Sequence, residues 1–403
     1  MKVALVIHRF LGETAGGAEM LAKEYAKRLG ACWDIEVVTT CAKDYLTWAN
    51  DLPEGKSMVD GITVLRFPVE KTRDIDEFSK FGTPLEAAAF RTRAEDENRY
   101  FKEAGPYSPK LVQYLEDSCG KYDAFIFYTY LYYTTAIGAK RVLDKAFLIT
   151  TAHDERPFYL MRTFMPILHG LKGIIFLSKE ERDLVMRLYQ LPATVKNTIA
   201  GYGFSRGANL SSEETKVFEQ KYEEILRDPF FLYVGRVCGT KGVYDFNHAF
   251  RMMKDTHSDT ARARLLFMGS KEIDDIGGDD VICLGVLPEK EKTFLIKHAL
   301  ALVNPSALES MSIVIYEAWL NKTPVLVNGE SPVTKGLCER AQGGLAYNSL
   351  STFQGALRWF IQNPRLAKKL GKQGYRYVYD HCSWDTAVGN IRRLVEEGVA
   401  QKH

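Results

Sequence analysis

Short apolar runs alternate with segments of helical periodicity along the whole chain, and the alternation runs twice. In the first half, residues 2–7, 35–39, 61–67, 124–128, 147–151 and 174–178 read as strands. Each is a short apolar, β-branched or aromatic run closed by polar or turn-forming residues. Residues 18–29 place Leu21, Tyr25 and Leu29 on one face of a helix, a long polar helical stretch covers 84–104, and 108–117 follows. Ser178-Lys179-Glu180-Glu181 has the pattern of a capping box, in which the serine and the second glutamate cap a helix reciprocally. The rhythm restarts with a strand at 230–234. It continues through strands at 264–268, 281–284, 301–303 and 324–327, with helices over 243–253 and 289–299. Strands separated by helices form a mostly parallel sheet covered on both faces. A chain of 403 residues suits about two domains. The prediction is therefore an α/β protein of two doubly wound, Rossmann-like domains, 1–204 and 205–382, joined near Gly203. The polar, acidic segment 209–227 reads as a linker with a surface helix, and helical patterns fill 351–362, 365–379 and 385–398.

Composition narrows the class of function. The hydrophobic share is 46% and the charged share 26%, ordinary for a soluble globular protein. A net charge of +2 gives no basic excess of the kind a nucleic-acid surface needs, and no overall attraction to a membrane beyond what a local patch supplies. Seven cysteines are dispersed without a CxxC pair, which fits reduced thiols in a cytoplasmic protein better than disulfides or a zinc site. The first residues, MKVALVIHRF, break at His8 and Arg9 with no small-residue cleavage site, so they read as a strand and not a signal peptide. The uncharged stretch 124–139 is too short for a bilayer span and dense in Tyr and Thr; it reads as a buried strand running into a helix start.

Several loops at strand ends carry residues suited to binding or chemistry. The densest stretch is 301–328, ALVNPSALESMSIVIYEAWLNKTPVLVN. Its apolar run stops at Asn304-Pro305-Ser306, Glu309 follows in the loop, and Ser310-Met311-Ser312 offers hydroxyls and free amides where a helix begins. Glu317 lies further along that helix. A helix N-terminus holds unpaired N–H groups and a positive dipole end, so this loop suits an anion such as a diphosphate. The alternative is a strand, because Ser312-Ile313-Val314-Ile315-Tyr316 is β-branched. Gly235-Arg236-Val237-Cys238-Gly239-Thr240-Lys241-Gly242 follows strand 230–234, and Arg236 and Lys241 flank a turn where two cations clamp a diphosphate. A basic loop in water is the plainer reading.

Other positions carry weaker signals. In Gly12-Glu13-Thr14-Ala15-Gly16-Gly17-Ala18-Glu19, glycines let backbone approach a ligand, but the full G-x-G-x-x-G pattern of a nicotinamide site is absent and a tight turn is an alternative. His153, after Thr150-Thr151-Ala152, orients a hydroxyl or acts as a base, unless it is simply a hydrogen-bonded structural histidine. Met268-Gly269-Ser270 and Leu284-Gly285-Val286-Leu287 suit a flat base or mere packing. Asp74-Ile75-Asp76 has the D-x-D spacing of metal-dependent nucleotide-sugar enzymes, yet it does not end an apolar strand and has no second ligand cluster. It reads as chance, and no metal is expected.

The G-R-x-x-x-x-K-G run at 235–242 and the E-x7-E pair Glu309/Glu317, with Gly16-Gly17-Ala18-Glu19 and His153 upstream, resemble the retaining GT-B glycosyltransferases of family GT4. The resemblance implies two Rossmann-like domains facing each other across a cleft, the acceptor on the first and a nucleoside-diphosphate sugar, UDP more than GDP or ADP, on the second. It implies that Arg236 and Lys241 bind the diphosphate, that Glu309 meets hydroxyls of the donor sugar, and that the amides of Met311, Ser312 and Ile313 meet the distal phosphate. Glu317 would hold the ribose, Gly285, Val286 and Leu287 would border the base, Gly16 and Gly17 would approach the phosphates, and His153 would lie by the transferring sugar. Ser383-Trp384-Asp385 resembles the family's tail, where a last helix (383–403) returns to the first domain. The family needs no metal, which leaves the nucleotide sugar as a substrate and no cofactor, and it retains anomeric configuration. It implies a sugar or lipid-linked sugar acceptor in polysaccharide or glycolipid synthesis, in the cytoplasm with room for peripheral contact at the inner face of the membrane. Where the family shows an aromatic and a glycine-like residue after the first glutamate, this chain has Met311 and Ser312. Two rivals are a nucleotide-sugar epimerase or hydrolase on the same frame, and a non-catalytic assembly subunit. The aromatic-rich 125–133 and 158–164 line an acceptor cleft or belong to the core.

Overall fold

A computed structural model describes residues 1–12, 16–88, 92–155, 158, 161–204 and 210–400. The chain divides into two compact units: Met1–Tyr202 with Trp384–His403, and Gly203–Ser383.

The first unit holds eight strands: β1 (Lys2–Val6), β2 (Asp34–Thr40), β3 (Gly55–Val59), β4 (Ile62–Phe67), β5 (Ala124–Tyr128), β6 (Ala146–Ile149), β7 (Gly173–Phe176) and β8 (Asn197–Ile199). They form one sheet in the order β3-β4-β2-β1-β5-β6-β7-β8. All neighbours are parallel except the antiparallel hairpin of β3 with β4. The central strands are buried along their full length, as a sheet covered on both faces requires. β3 alternates half-buried and exposed residues, which marks an edge strand. Helix Gly17–Leu29 buries Leu21, Tyr25 and Leu29, the face its periodicity predicts. The last helix, Trp384–Ala400, buries Ile391 and Val395 and packs on β7, β8 and helix Gly17–Leu29.

The second unit holds β9 (Phe230–Val234), β10 (Arg264–Met268), β11 (Val281–Gly285), β12 (Ala301–Asn304), β13 (Val325–Asn328) and β14 (Gly344–Tyr347). Their order is β11-β10-β9-β12-β13-β14, all parallel. This is the doubly wound order in which chain direction across the sheet reverses between its two middle strands, here β9 and β12. In sheets of this order ligands bind outside the carboxyl ends of the strands, at this reversal point. Helix Val243–Thr256 packs Phe246 and Phe250 over one face of this sheet, together with Phe353, Leu357 and Phe360 of helix Leu350–Gln362.

Two local expectations change, and one alternative is set aside. The polar stretch 84–104 is not one helix. Helix Ile75–Ala87 is capped by Asp74, whose carboxylate accepts from the Glu77 N–H, and a second helix covers Ala94–Ala104. Asp74 thus has a structural role, since it satisfies a free helical N–H. The β-branched run after Ser312 is helix Ile313–Leu320 and not a strand, because Ile315, Ala318 and Trp319 bury one face at helical spacing. The capping box at 178–181 is only half formed. Ser178 accepts from the Glu181 N–H, but the Glu181 carboxylate is committed elsewhere.

Candidate functional site

The crevice of the second unit opens where β9 and β12 end. Gly235 to Gly242 leaves β9, and Tyr233, the penultimate residue of that strand, donates its hydroxyl to the Arg236 carbonyl at 2.7 Å. Rows of backbone bonds lace this rim: Gly235 N–H to the Met268 carbonyl at 2.9 Å and Gly269 N–H to the Gly285 carbonyl at 2.8 Å. The approach is so close that a Cβ on Gly269 would stand 1.9 Å from the Gly235 carbonyl oxygen. Gly242 ends the basic loop at φ +70, and a Cβ there would lie 2.3 Å from the Pro305 carbonyl. Left-handed backbone and absence of a side chain are both required for the two loops to meet.

They meet in an ion pair. Lys241 Nζ lies 2.8 Å from Glu309 Oε1, with side chains 29% and 13% exposed. Arg236 sits on the same loop, and its guanidinium faces Glu272, Nη1 to Oε1 3.7 Å. Burial, with the nearby Cys238, Glu309 and Glu272, drives the Tyr233 phenol upward while Arg236 opposes, so the two loop cations and Glu309 share one electrostatic neighbourhood. The first turn of helix Ile313–Leu320 begins at Ser312, whose hydroxyl accepts from Asn304 Nδ2 at 2.7 Å and so does not cap its own helix. The amides of Met311, Ser312 and Ile313 stand at a helix start, where N–H groups lack intrahelical acceptors.

Glu317 takes a different partner. Its Oε1 lies 2.9 Å from Lys292 Nζ of helix Glu289–His298, and Lys292 also reaches Glu289 at 2.8 Å. Glu317 Oε2 is buried and accepts no hydrogen bond from the described residues. Burial raises the Glu317 pKa and Glu289 adds to the rise, while Lys292 pulls it down. Lys292 is itself buried, and its two carboxylates outweigh that burial and hold it cationic. A carboxylate with one oxygen pinned by a cation and the other unsatisfied is prepared to accept from a hydroxyl. Gly285 closes β11 at φ +68; Val286 beyond it is 58% exposed and Leu287 half-buried.

The first unit has its own arrangement at the ends of β1, β5 and β6. Glu13 to Ala15 of the glycine loop lie outside the described residues. Gly16 precedes helix Gly17–Leu29, and the space its Cβ would take is filled by the Glu19 carboxylate at 2.7 Å. Glu19 accepts from Arg9 Nε at 2.5 Å and meets His8 Nε2 at 3.2 Å. Burial alone would raise the Glu19 pKa; the hydrogen bond and charge of His8, with the Arg9 charge, overcome that and bring it to about 2. Burial lowers the His8 pKa, while the hydrogen bond and charge of Glu19 oppose that fall. The His8 ring lies 4.0 Å from that of Tyr132, which joins the loops after β1 and β5. His153 is half-buried past the end of β6, with Nδ1 3.1 Å from Glu155 Oε1. Tyr128, Tyr130, Phe158 and Phe164 are core; Tyr132 is only partly buried.

In the sequence Glu19 stands out only as part of the glycine loop. Its partners at 8 and 9 carry no motif, and Lys292 reads as an ordinary surface lysine of an amphipathic helix. Among the described residues no group of His, Cys, Asp and Glu suits a metal ion, and no helix is long and apolar enough to cross a membrane.

Comparison with known proteins agrees with this architecture. Residues 214–377 match the family model of glycosyl transferases group 1. A curated relative, the glycosyltransferase 1 domain-containing protein 1 of Xenopus tropicalis, is 26% identical over 173 residues, 41% of this chain and 50% of the relative. The matched segment thus spans about half the length of that relative. Among solved structures, sucrose-phosphate synthase of Thermosynechococcus elongatus superposes with a TM-score of 0.74 at 17% identity, covering 99% of both chains. Anabaena HepE in complex with UDP-glucose gives 0.71 at 13% identity, over 98% of this chain and 100% of that one. WaaG, a glycosyltransferase involved in lipopolysaccharide biosynthesis, gives 0.64 at 14%, over 98% and 99%. The fold is GT-B, two Rossmann-like units, and most of the second unit is similar to the group 1 glycosyl transferase model.

Proposed function

We propose that this chain moves a sugar from a nucleoside-diphosphate sugar to an acceptor. The donor is a UDP-sugar such as UDP-glucose. The observation that carries the reading is the Lys241–Glu309 ion pair at the reversal point of the second sheet, with Arg236 on the same loop. Two cations at the carboxyl ends of strands, beside a helix start, suit a diphosphate. As the sugar–phosphate bond breaks, negative charge grows on the diphosphate, and fixed cations then stabilise the transition state more than the ground state. Lys241 also orients Glu309, which we assign to hydroxyls of the donor sugar. Glu317, pinned by Lys292 with one oxygen unsatisfied, accepts from the ribose. Gly285, Val286 and Leu287 border the base, and the amides of Met311, Ser312 and Ile313 meet the distal phosphate.

The likeness to HepE bound to UDP-glucose supports a uridine donor. We assign the acceptor, a sugar or lipid-linked sugar of polysaccharide or glycolipid synthesis, to the first unit. Gly16, Gly17 and His153 stand there at the carboxyl ends of β1 and β6. Transfer proceeds without a metal and with retention, the leaving phosphate helping to take the acceptor's proton. Incubation with UDP-glucose and an acceptor panel, with and without EDTA, tests this: product of retained configuration with EDTA present is the expected result. Loss of transfer in EDTA, or rapid donor hydrolysis without acceptor, would overturn the metal-free or the transferase assignment respectively.

A further inference from the structure

We infer that Glu181 is the positioning residue of the His153 loop, a buried carboxylate that ties the end of β6 to the end of β7. Its sequence context would have it close a capping box on Ser178, yet its side chain turns inward. Glu181 Oε1 accepts from the Thr150 hydroxyl at 2.6 Å and from the Ala152 N–H at 2.5 Å, and Oε2 accepts from the Leu177 N–H at 2.6 Å. The residue is 1% exposed.

What lies between its two contacts on β6 explains the arrangement. Thr151 has φ +50, a left-handed conformation that a β-branched residue avoids. Such strain persists only where the surroundings over-determine it. Glu181 grips the residue on each side of Thr151, and His153 is next after Ala152. The carboxylate therefore sets the turn that presents His153, and through Leu177 it fixes that turn against the neighbouring strand.

The same groups make the device sensitive to pH. Burial raises the Glu181 pKa, and the bonds from Thr150, Leu177 and Ala152 with the His153 charge pull it back, to about 7. The other titratable groups facing it are Tyr25 of helix Gly17–Leu29 and Tyr128 of β5, both held protonated by burial. Protonation removes charge from an acceptor that three donors address, so the loop loosens as pH falls through neutrality. The consequence for catalysis rests on the transferase reading. The coupling of Glu181 to His153 does not.

The full chain with histidine 13C-labelled at Cε1, and His153→Gln to assign the signal, tests the coupling without any donor. In the wild type the His153 shift should carry an inflection that belongs to Glu181. Glu181→Gln should remove that inflection, and amide exchange at Ala152 and Leu177 should rise roughly tenfold or more while Leu148 keeps its rate. An unchanged His153 curve and unchanged exchange in Glu181→Gln would overturn the proposal. Should that variant not fold, Thr150→Val removes one donor and should shift the inflection to higher pH; no shift would overturn it equally. In a transfer assay, Glu181→Gln should lower kcat and leave the donor KM within about twofold. A normal kcat alongside a lost inflection would sink the catalytic consequence alone.

Discussion

Lys292→Met is the sharpest perturbation of the donor site. In the native protein Glu317 and Lys292 are 14% and 13% exposed and 2.9 Å apart, and Glu289 shares the same cation. Removing Lys292 leaves two carboxylates near each other, one of them buried with no remaining hydrogen bond to either oxygen. Breaking a buried pair costs about 3–5 kcal/mol; the partial exposure here favours the lower end, about 3 kcal/mol. For a unit of this size that is a fall in Tm of roughly 6–12 °C. The loss depends on pH, and its sign follows from the direction of the Glu317 shift. Burial raises its folded-state pKa, so the folded state prefers the protonated form. Stability is then full below the unfolded-state pKa and declines as pH rises through the folded-state value. Lys292→Met raises that value further, so the variant should be nearly as stable as wild type in acid and markedly weaker at pH 8. Thermal melts from pH 4.5 to 8.5 on wild type, Lys292→Met, Glu317→Gln and the double variant read this directly. A coupling below about 0.5 kcal/mol in that cycle, or a pH-independent loss, would refute the argument.

Three further outcomes are expected. Lys241→Ala or Glu309→Ala should lower transfer on the order of 10²–10³-fold or more with an unchanged circular dichroism spectrum, and near-normal turnover in either would count against the mechanism. Gly242→Ala places a Cβ 2.3 Å from the Pro305 carbonyl at φ +70, so it should cost about 2–4 kcal/mol in denaturant unfolding and weaken donor binding. Glu19→Gln removes a carboxylate whose pKa of about 2 lies below its usual 4.5, worth about 3 kcal/mol above the unfolded-state pKa and lost as pH falls through the folded one. Its deficit in urea titrations should be largest at pH 7 and narrow below pH 4; a deficit constant with pH would contradict the assignment.

The sheets were legible because parallel strands buried on both faces are continuous apolar runs, as 124–128 and 230–234 are. The strands that escaped notice are those without that signature. β3 is a half-exposed hairpin strand, β8 has three half-buried residues, and β14 carries an exposed alanine. Helix Ile313–Leu320 defied its β-branched composition because its tertiary setting buries Trp319 and Ile315, a contact no local propensity contains. In the site, the glycines and charges of 235–242 and Glu309 stood out because turn chemistry and charge are local. Lys292 and Glu181 did not, since each reaches across elements distant in sequence, and His8 and Arg9 carry no motif that pairs them with Glu19. Glu181 is the clearest case: its local pattern specifies a cap, and the buried amides at the ends of β6 and β7 claim it instead.

Transfer requires that the rim of the second sheet hold a nucleoside diphosphate. Calorimetric titration of UDP-glucose, with UDP alone as a second ligand, into wild type and Lys241→Ala measures this most directly. Saturable binding of both ligands to the wild type in EDTA, weakened at least tenfold in the variant, is the predicted result. Equal affinities in the two proteins, or no heat with either ligand, would contradict it.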